Sequence, residues 1–157
     1  LMGYLISEVP ETSKENNIIF DKRLNQLLKI AIVLSLIQIT LGTQVRQLID
    51  EIASTFNYGQ RGLWIEMAGI TFKIHRSFAI SLVIINVALF FRNYKLRYRY
   101  QLVNFVCAVV FLEALSGVVL TYFDMLALMQ PIHLIAASLL FVLQIALYFQ
   151  IQKSKSN

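Results

Sequence analysis

The chain has 157 residues, of which 57% are hydrophobic and 15% charged, and its mean hydropathy is +0.64; this is too apolar for an ordinary soluble domain and marks a membrane protein. The net charge of +5 does not indicate nucleic acid, because the cations gather in one loop and the C-terminal tail, beside tyrosines that suit a membrane interface better than a base-stacking surface. The single cysteine, Cys107, has no disulfide partner and reads as a small core residue. The sequence contains no Gly-rich phosphate loop, nucleophile triad, zinc-type Cys/His cluster or calcium ligand set.

Residues 1–23 are a polar lead-in containing Pro10 and "SKENN", expected as loop or interfacial helix. Four apolar runs follow, at about 27–45, 72–91, 102–123 and 130–149, each near the roughly 20 residues that cross a hydrocarbon core of about 30 Å. They are apolar all round rather than alternating, so helices are expected and barrel strands are not. Residues 46–71 are expected to form the long outer loop. Within it Leu48, Ile49, Ile52 and Phe56 have the spacing of a short amphipathic helix lying near the surface.

The inner loop, 92–101, carries Arg92, Lys95, Arg97 and Arg99 with no acid, and the tail at 153–157 adds Lys153 and Lys155. The positive-inside rule puts both in the cytoplasm, and an even number of spans brings the N-terminus to the same side. Ten of the fourteen basic residues then lie inside. The fold class is an all-α membrane protein, a four-transmembrane-helix bundle over residues 24–152.

An internal repeat organises these spans. "LIQITLGTQV" in the first aligns with "VFLEALSGVVL" in the third, setting Gln38 and Gly42 against Glu113 and Gly117. The second and fourth align on Ile74-His75 and Ile132-His133, the only histidines of the chain. Two similar helical hairpins are therefore expected. Each histidine falls three residues into its span, about 5 Å below the outer boundary at a rise of ~1.5 Å per residue, and the glycines fall near that level.

Two imidazoles at one depth on two helices suit axial ligation of one haem iron, with Gly42 and Gly117 leaving room for a flat macrocycle. Arg46 and Arg76, near the outer edge, suit haem propionates. Other readings stand beside these: histidines that only hydrogen-bond between helices, glycines that serve helix packing, and arginines that snorkel. Glu113 is the only acid well inside a span, where a charge costs about 2.5–3.5 kcal/mol. Its aligned counterpart is Gln38, so a neutral polar contact is the simpler role, with proton relay or adjustment of a haem pocket as the other. Asn86 and Asn104 are expected to link helices.

"LIQITLGTQVRQ", "IHRSFA", "EALSGVVL" and "QPIHLIAAS", in this order over residues 24–150, resemble the haem A synthase family. That family oxidises a methyl group of haem O to the formyl group of haem A, and has eight spans in two four-helix halves. The resemblance implies that this chain corresponds to the C-terminal half, with His75 and His133 as ligands of a haem b. It further implies haem O as substrate and a partner that is either the N-terminal half or a second copy. Haem O synthase and cytochrome oxidase assembly factors enter as associated proteins, with membrane lipid as the surroundings.

In the family's other half an acid stands three positions before the first histidine and the outer loop can carry a cysteine pair. Here that position is Phe72, Glu66 is nine residues before His75, and residues 46–71 contain no cysteine. The alternative is a simple four-helix b-type cytochrome or respiratory-complex anchor; a third reading is a haem-free assembly scaffold. The chain starts at Leu1 without a signal peptide, which leaves an N-terminally incomplete segment open, and the absence of a transit-like leader favours a bacterial inner membrane.

Overall fold

The computed structural model describes residues 20–96 and 99–156. The lead-in with Pro10 and "SKENN", and Arg97 and Tyr98 of the basic loop, lie outside the described residues. The described residues form four helices: α1 (Lys22–Thr55), α2 (Arg61–Tyr94), α3 (Leu102–Tyr122) and α4 (Met129–Ser156). All four are long and apolar enough to cross a membrane, and no strand occurs among the described residues.

Helix α1 starts where Asp21 takes an extended conformation and its Oδ1 accepts the Leu24 N–H at 2.7 Å, satisfying one of the orphan donors of the first turn. The same carboxylate accepts from Arg92 near the end of α2, Oδ1 from Nε at 3.0 Å and Oδ2 from an Nη. One acidic residue thus caps the first helix and ties it to the second at the basic end of the bundle. Next to it the Asn93 side chain exchanges two hydrogen bonds with the Tyr100 backbone, which closes the turn between α2 and α3.

The expected outer loop at 46–71 is mostly helix. α1 and α2 have 34 residues each, about 51 Å at 1.5 Å per residue, so both run well past a ~30 Å core. The turn joining them is confined to residues 56–60. Charged residues such as Arg46, Asp50, Glu51 and Glu66 end the apolar run without ending the helix. Leu48, Ile49, Ile52 and Phe56 do form one face, but it packs against Trp64 and Ala68 of α2 instead of lying on a membrane surface. Past the fourth apolar run, α4 likewise continues through Lys153 to Ser156.

α2 is broken once. Gly69 has φ +52 and ψ −123, a conformation open essentially to glycine alone, and it kinks the helix between the outer segment and the spanning segment. His75 therefore sits in the body of α2, well after its first residue, whereas His133 lies in the second turn of α4.

The helices form a ring: α1 packs on α2 and α4, and α3 packs on α2 and α4. Among the described residues the backbones of the diagonal pairs, α1 with α3 and α2 with α4, do not approach within 8 Å. The core divides into two apolar clusters. The larger joins all four helices toward the basic end through residues such as Leu28, Leu89, Val106, Leu140 and Leu147. The smaller holds the outer extensions of α1 and α2 together. Inside the larger cluster Ser35 donates to Gln144 Oε1 at 2.7 Å, and Gln144 Nε2 donates to Asn86 Oδ1 at 3.2 Å, so α1, α4 and α2 are cross-linked. Asn86 links helices as expected; Asn104 is exposed, and that part of the linking falls to Gln144 and Ser35.

Candidate functional site

Between the two apolar clusters lies a polar layer made of Gln38, Gly42, His75, Glu113, Ser116, Gly117 and His133. Each hairpin contributes one copy of the same arrangement. In the first, the His75 ring rests against Gly42: a Cβ built there would stand 3.3 Å from His75 Cε1. Gln38, one helical turn earlier, places Nε2 at 3.1 Å from Nδ1 and 3.3 Å from Nε2 of the same ring. In the second hairpin a Cβ at Gly117 would stand 3.4 Å from His133 Cε1, and Glu113 Oε1 lies 3.3 Å from His133 Nε2. Residues four apart share a helix face, so in both cases the polar group and the glycine meet the same ring.

What the glycines make room for in this structure is imidazole. A larger residue at either position would push the ring off the helix that supports it. The two histidines belong to α2 and α4, a diagonal pair of the ring, so they approach the bundle from opposite corners. Both are half-buried.

Besides Gln38 against Glu113, the copies differ at a position that sequence reading did not single out. Ser116, 4% exposed, lies 2.8 Å from His133 Nδ1 and donates to the Glu113 carbonyl at 2.9 Å. Its counterpart in the first hairpin is Leu41. The signal was visible, since Ser116 directly precedes the aligned glycine in "EALSGVVL", but a serine in a spanning helix commonly bonds only its own backbone.

Among the described residues two buried side-chain atoms lack a hydrogen-bond partner, Gln38 Oε1 and Glu113 Oε2. They are the aligned polar residues of the two copies. Unpaired buried oxygens are costly and uncommon, and their occurrence at both equivalent positions marks this layer as built for something further. Among the described residues no group of three or more His, Cys, Asp or Glu side chains converges on a metal-sized site. The protein offers two separate imidazoles, a donor set suited to a metal whose remaining ligands come with it.

The other expected residues lie apart from this layer. Arg46 is exposed and pairs with Asp50 one turn along α1, at 3.6 Å. Arg76 is also exposed. Phe72 packs against the outer apolar cluster, and Glu66 is exposed on the outer segment of α2. Cys107 Sγ donates to the Asn86 carbonyl at 3.7 Å, in keeping with a packing role.

Compared with known proteins, residues 1–145 match the family model COX15-CtaA, described as cytochrome oxidase assembly protein. No curated protein and no solved structure matches the chain significantly.

Proposed function

Since the chain belongs to the COX15-CtaA family of cytochrome oxidase assembly proteins, the haem A synthases, we propose that it is the electron-handling half of such an enzyme, binding haem b between His75 and His133. The family's reaction is an oxidation that makes haem A for cytochrome oxidase. A bound haem b would supply one-electron chemistry, passing electrons toward the site where a methyl group of haem O is oxidised.

The observation that carries this reading is the duplicated unit of histidine, supporting glycine and buried polar residue on diagonal helices. The residues fit the group. His75 and His133 would each supply one imidazole nitrogen to the iron, and the cofactor would bring the remaining ligands that the protein lacks. Gly42 and Gly117 let each ring lie close to the neighbouring helix, which restrains its orientation. The unpaired oxygens of Gln38 and Glu113 point to a layer that is completed by a further group. Glu113 also holds His133 Nε2, a contact that metal ligation would replace. Arg46 and Arg76, both exposed and on the first hairpin, are available to carboxylates arriving at the outer edge.

In this reading haem O binds outside this chain, in an N-terminal four-helix half or a second copy, and haem O synthase and oxidase assembly factors act alongside. The membrane is a bacterial inner membrane with both termini cytoplasmic and the haem near the outer face. One observation favours the simpler alternative, a b-type cytochrome or complex anchor: Phe72 fills the position where the family's other half carries its acid, and Glu66 is exposed on the outer segment. Comparing haem A formation from haem O with and without the partner half separates the two.

The direct test is a reduced-minus-oxidised spectrum of the purified chain loaded with haem b. A low-spin haem signal is expected, and His75→Ala or His133→Ala alone should abolish it. If both single variants retain the parent spectrum, bis-histidine ligation is wrong.

A further inference from the structure

The two histidines are held by different partners, and the difference bears on where one of them carries its proton. A serine hydroxyl has one hydrogen. Ser116 commits that hydrogen to the Glu113 carbonyl oxygen at 2.9 Å. Toward His133 Nδ1, at 2.8 Å, its oxygen is then free to accept, which favours the tautomer with hydrogen on Nδ1. In a neutral imidazole this leaves Nε2 with its lone pair, so at the 3.3 Å contact with Glu113 Oε1 the carboxyl, uncharged as its place inside a span favours, is the donor. The geometry is enforced by the helix: Ser116 and Glu113 are three residues apart on α3, and Gly117 brings the His133 ring within reach of both.

His75 has no such arrangement. Its described partner is the Gln38 amide nitrogen, which is a donor, nearly equidistant from both ring nitrogens. Among the described residues no oxygen accepts a hydrogen bond from its ring. The aligned position, Leu41, offers none.

We infer that Ser116 is a positioning residue that holds His133 in the Nδ1–H tautomer and so presents Nε2 as its metal-binding atom, while His75 is left without an equivalent anchor. This rests on the haem-binding reading for its use but not for its geometry. A ring whose Nδ1–H is bonded to an acceptor is oriented and made a more basic ligand, so the two histidines would hold the group unequally, with His133 the firmer.

With only two histidines in the chain, the proton positions are accessible by ¹⁵N NMR of the full, detergent-solubilised protein labelled at histidine, without haem. The neutral His133 ring is expected to show a protonated Nδ1 and an unprotonated Nε2. Ser116→Ala should shift that ring to a mixture of tautomers, Ser116→Thr should restore the parent pattern, and the His75 signals should not move. A proton on His133 Nε2 in the parent, or a Ser116→Ala spectrum identical to it, overturns the assignment. On the chain loaded with haem b, Ser116→Ala should raise the midpoint potential and Ser116→Thr return it. Ser138→Ala, whose hydroxyl bonds only the Leu134 carbonyl on an exposed face, should leave it unchanged. An unmoved potential in Ser116→Ala refutes the positioning role. Failure to bind haem together with the expected NMR pattern refutes the haem reading alone.

Discussion

At the scale of single residues, the polar layer depends on what is missing from Gly42 and Gly117. A Cβ at either would already be 3.3–3.4 Å from a histidine carbon, tighter than most real contacts, and valine adds two further carbons to it. Gly42→Val and Gly117→Val are each expected to lower haem occupancy several-fold at fixed haem concentration, with helical circular dichroism unchanged. Occupancy equal to the parent in both would show that the rings do not need this support. At the other end, Arg92, through its hydrogen bonds, holds the Asp21 carboxyl below the usual carboxylate range. A carboxylate with a lowered folded-state pKa contributes stability that is present above its ordinary value of about 3.9 and is lost as pH falls through the lowered one. The thermal midpoint of the parent should therefore drop on acidification through that window more steeply than that of Asp21→Asn. The same variant should be less stable at neutral pH because the charged hydrogen bonds from Arg92 are lost, while asparagine, which ranks with aspartate as an N-cap, still caps the helix.

At the scale of elements, α2 is two helices joined at Gly69. The kink lets the outer segment lean on α1 through Trp64 and Ala68 while the spanning segment keeps His75 against Gly42. No atom lies within 4 Å of a Cβ built on Gly69, so Gly69→Ala would meet no clash. Its cost is conformational, about 1–3 kcal/mol for a backbone region that L-residues avoid. Thermal unfolding should show this loss; an unchanged midpoint would mean that the kink is readily straightened. The outer extension of α1 and α2 has no counterpart on the second hairpin, where α3 ends at Tyr122 and α4 begins at Met129. The repeat therefore holds for the spanning parts and is broken outside them.

At the scale of the whole molecule, the bundle has a closed, apolar end and a looser layer where the histidines lie. All four helices meet in the larger cluster, reinforced by the chain of bonds from Ser35 through Gln144 to Asn86. The histidine layer has half-buried residues and unpaired oxygens instead. A group bound there should stabilise the entire bundle by mass action, about 2.7 kcal/mol when free haem is 100-fold above its Kd. Haem b should raise the thermal midpoint of the parent and leave the His75→Ala, His133→Ala double variant unmoved; equal shifts in both would assign the effect to nonspecific partitioning of haem.

The sequence by itself determined the number of spans, their helical character and the basic end, because hydropathy and charge are properties of composition along the chain. The repeat of Gln38 and Gly42 with Glu113 and Gly117, and the pairing of each with a histidine, was also legible, since residues four apart must share a helix face. Hydropathy could not tell where helices end: lipid-facing character stops near Val45, but α1 continues to Thr55 because Ile49 and Ile52 find a partner face on α2. Only the tertiary structure decided that the histidines sit on diagonal helices, that Gln144 joins Ser35 to Asn86, and that Arg46 and Arg76 lie exposed. It alone also brought Ser116 onto His133. These are meetings between residues far apart in the chain, set by how the helices pack, and local spacing does not encode them.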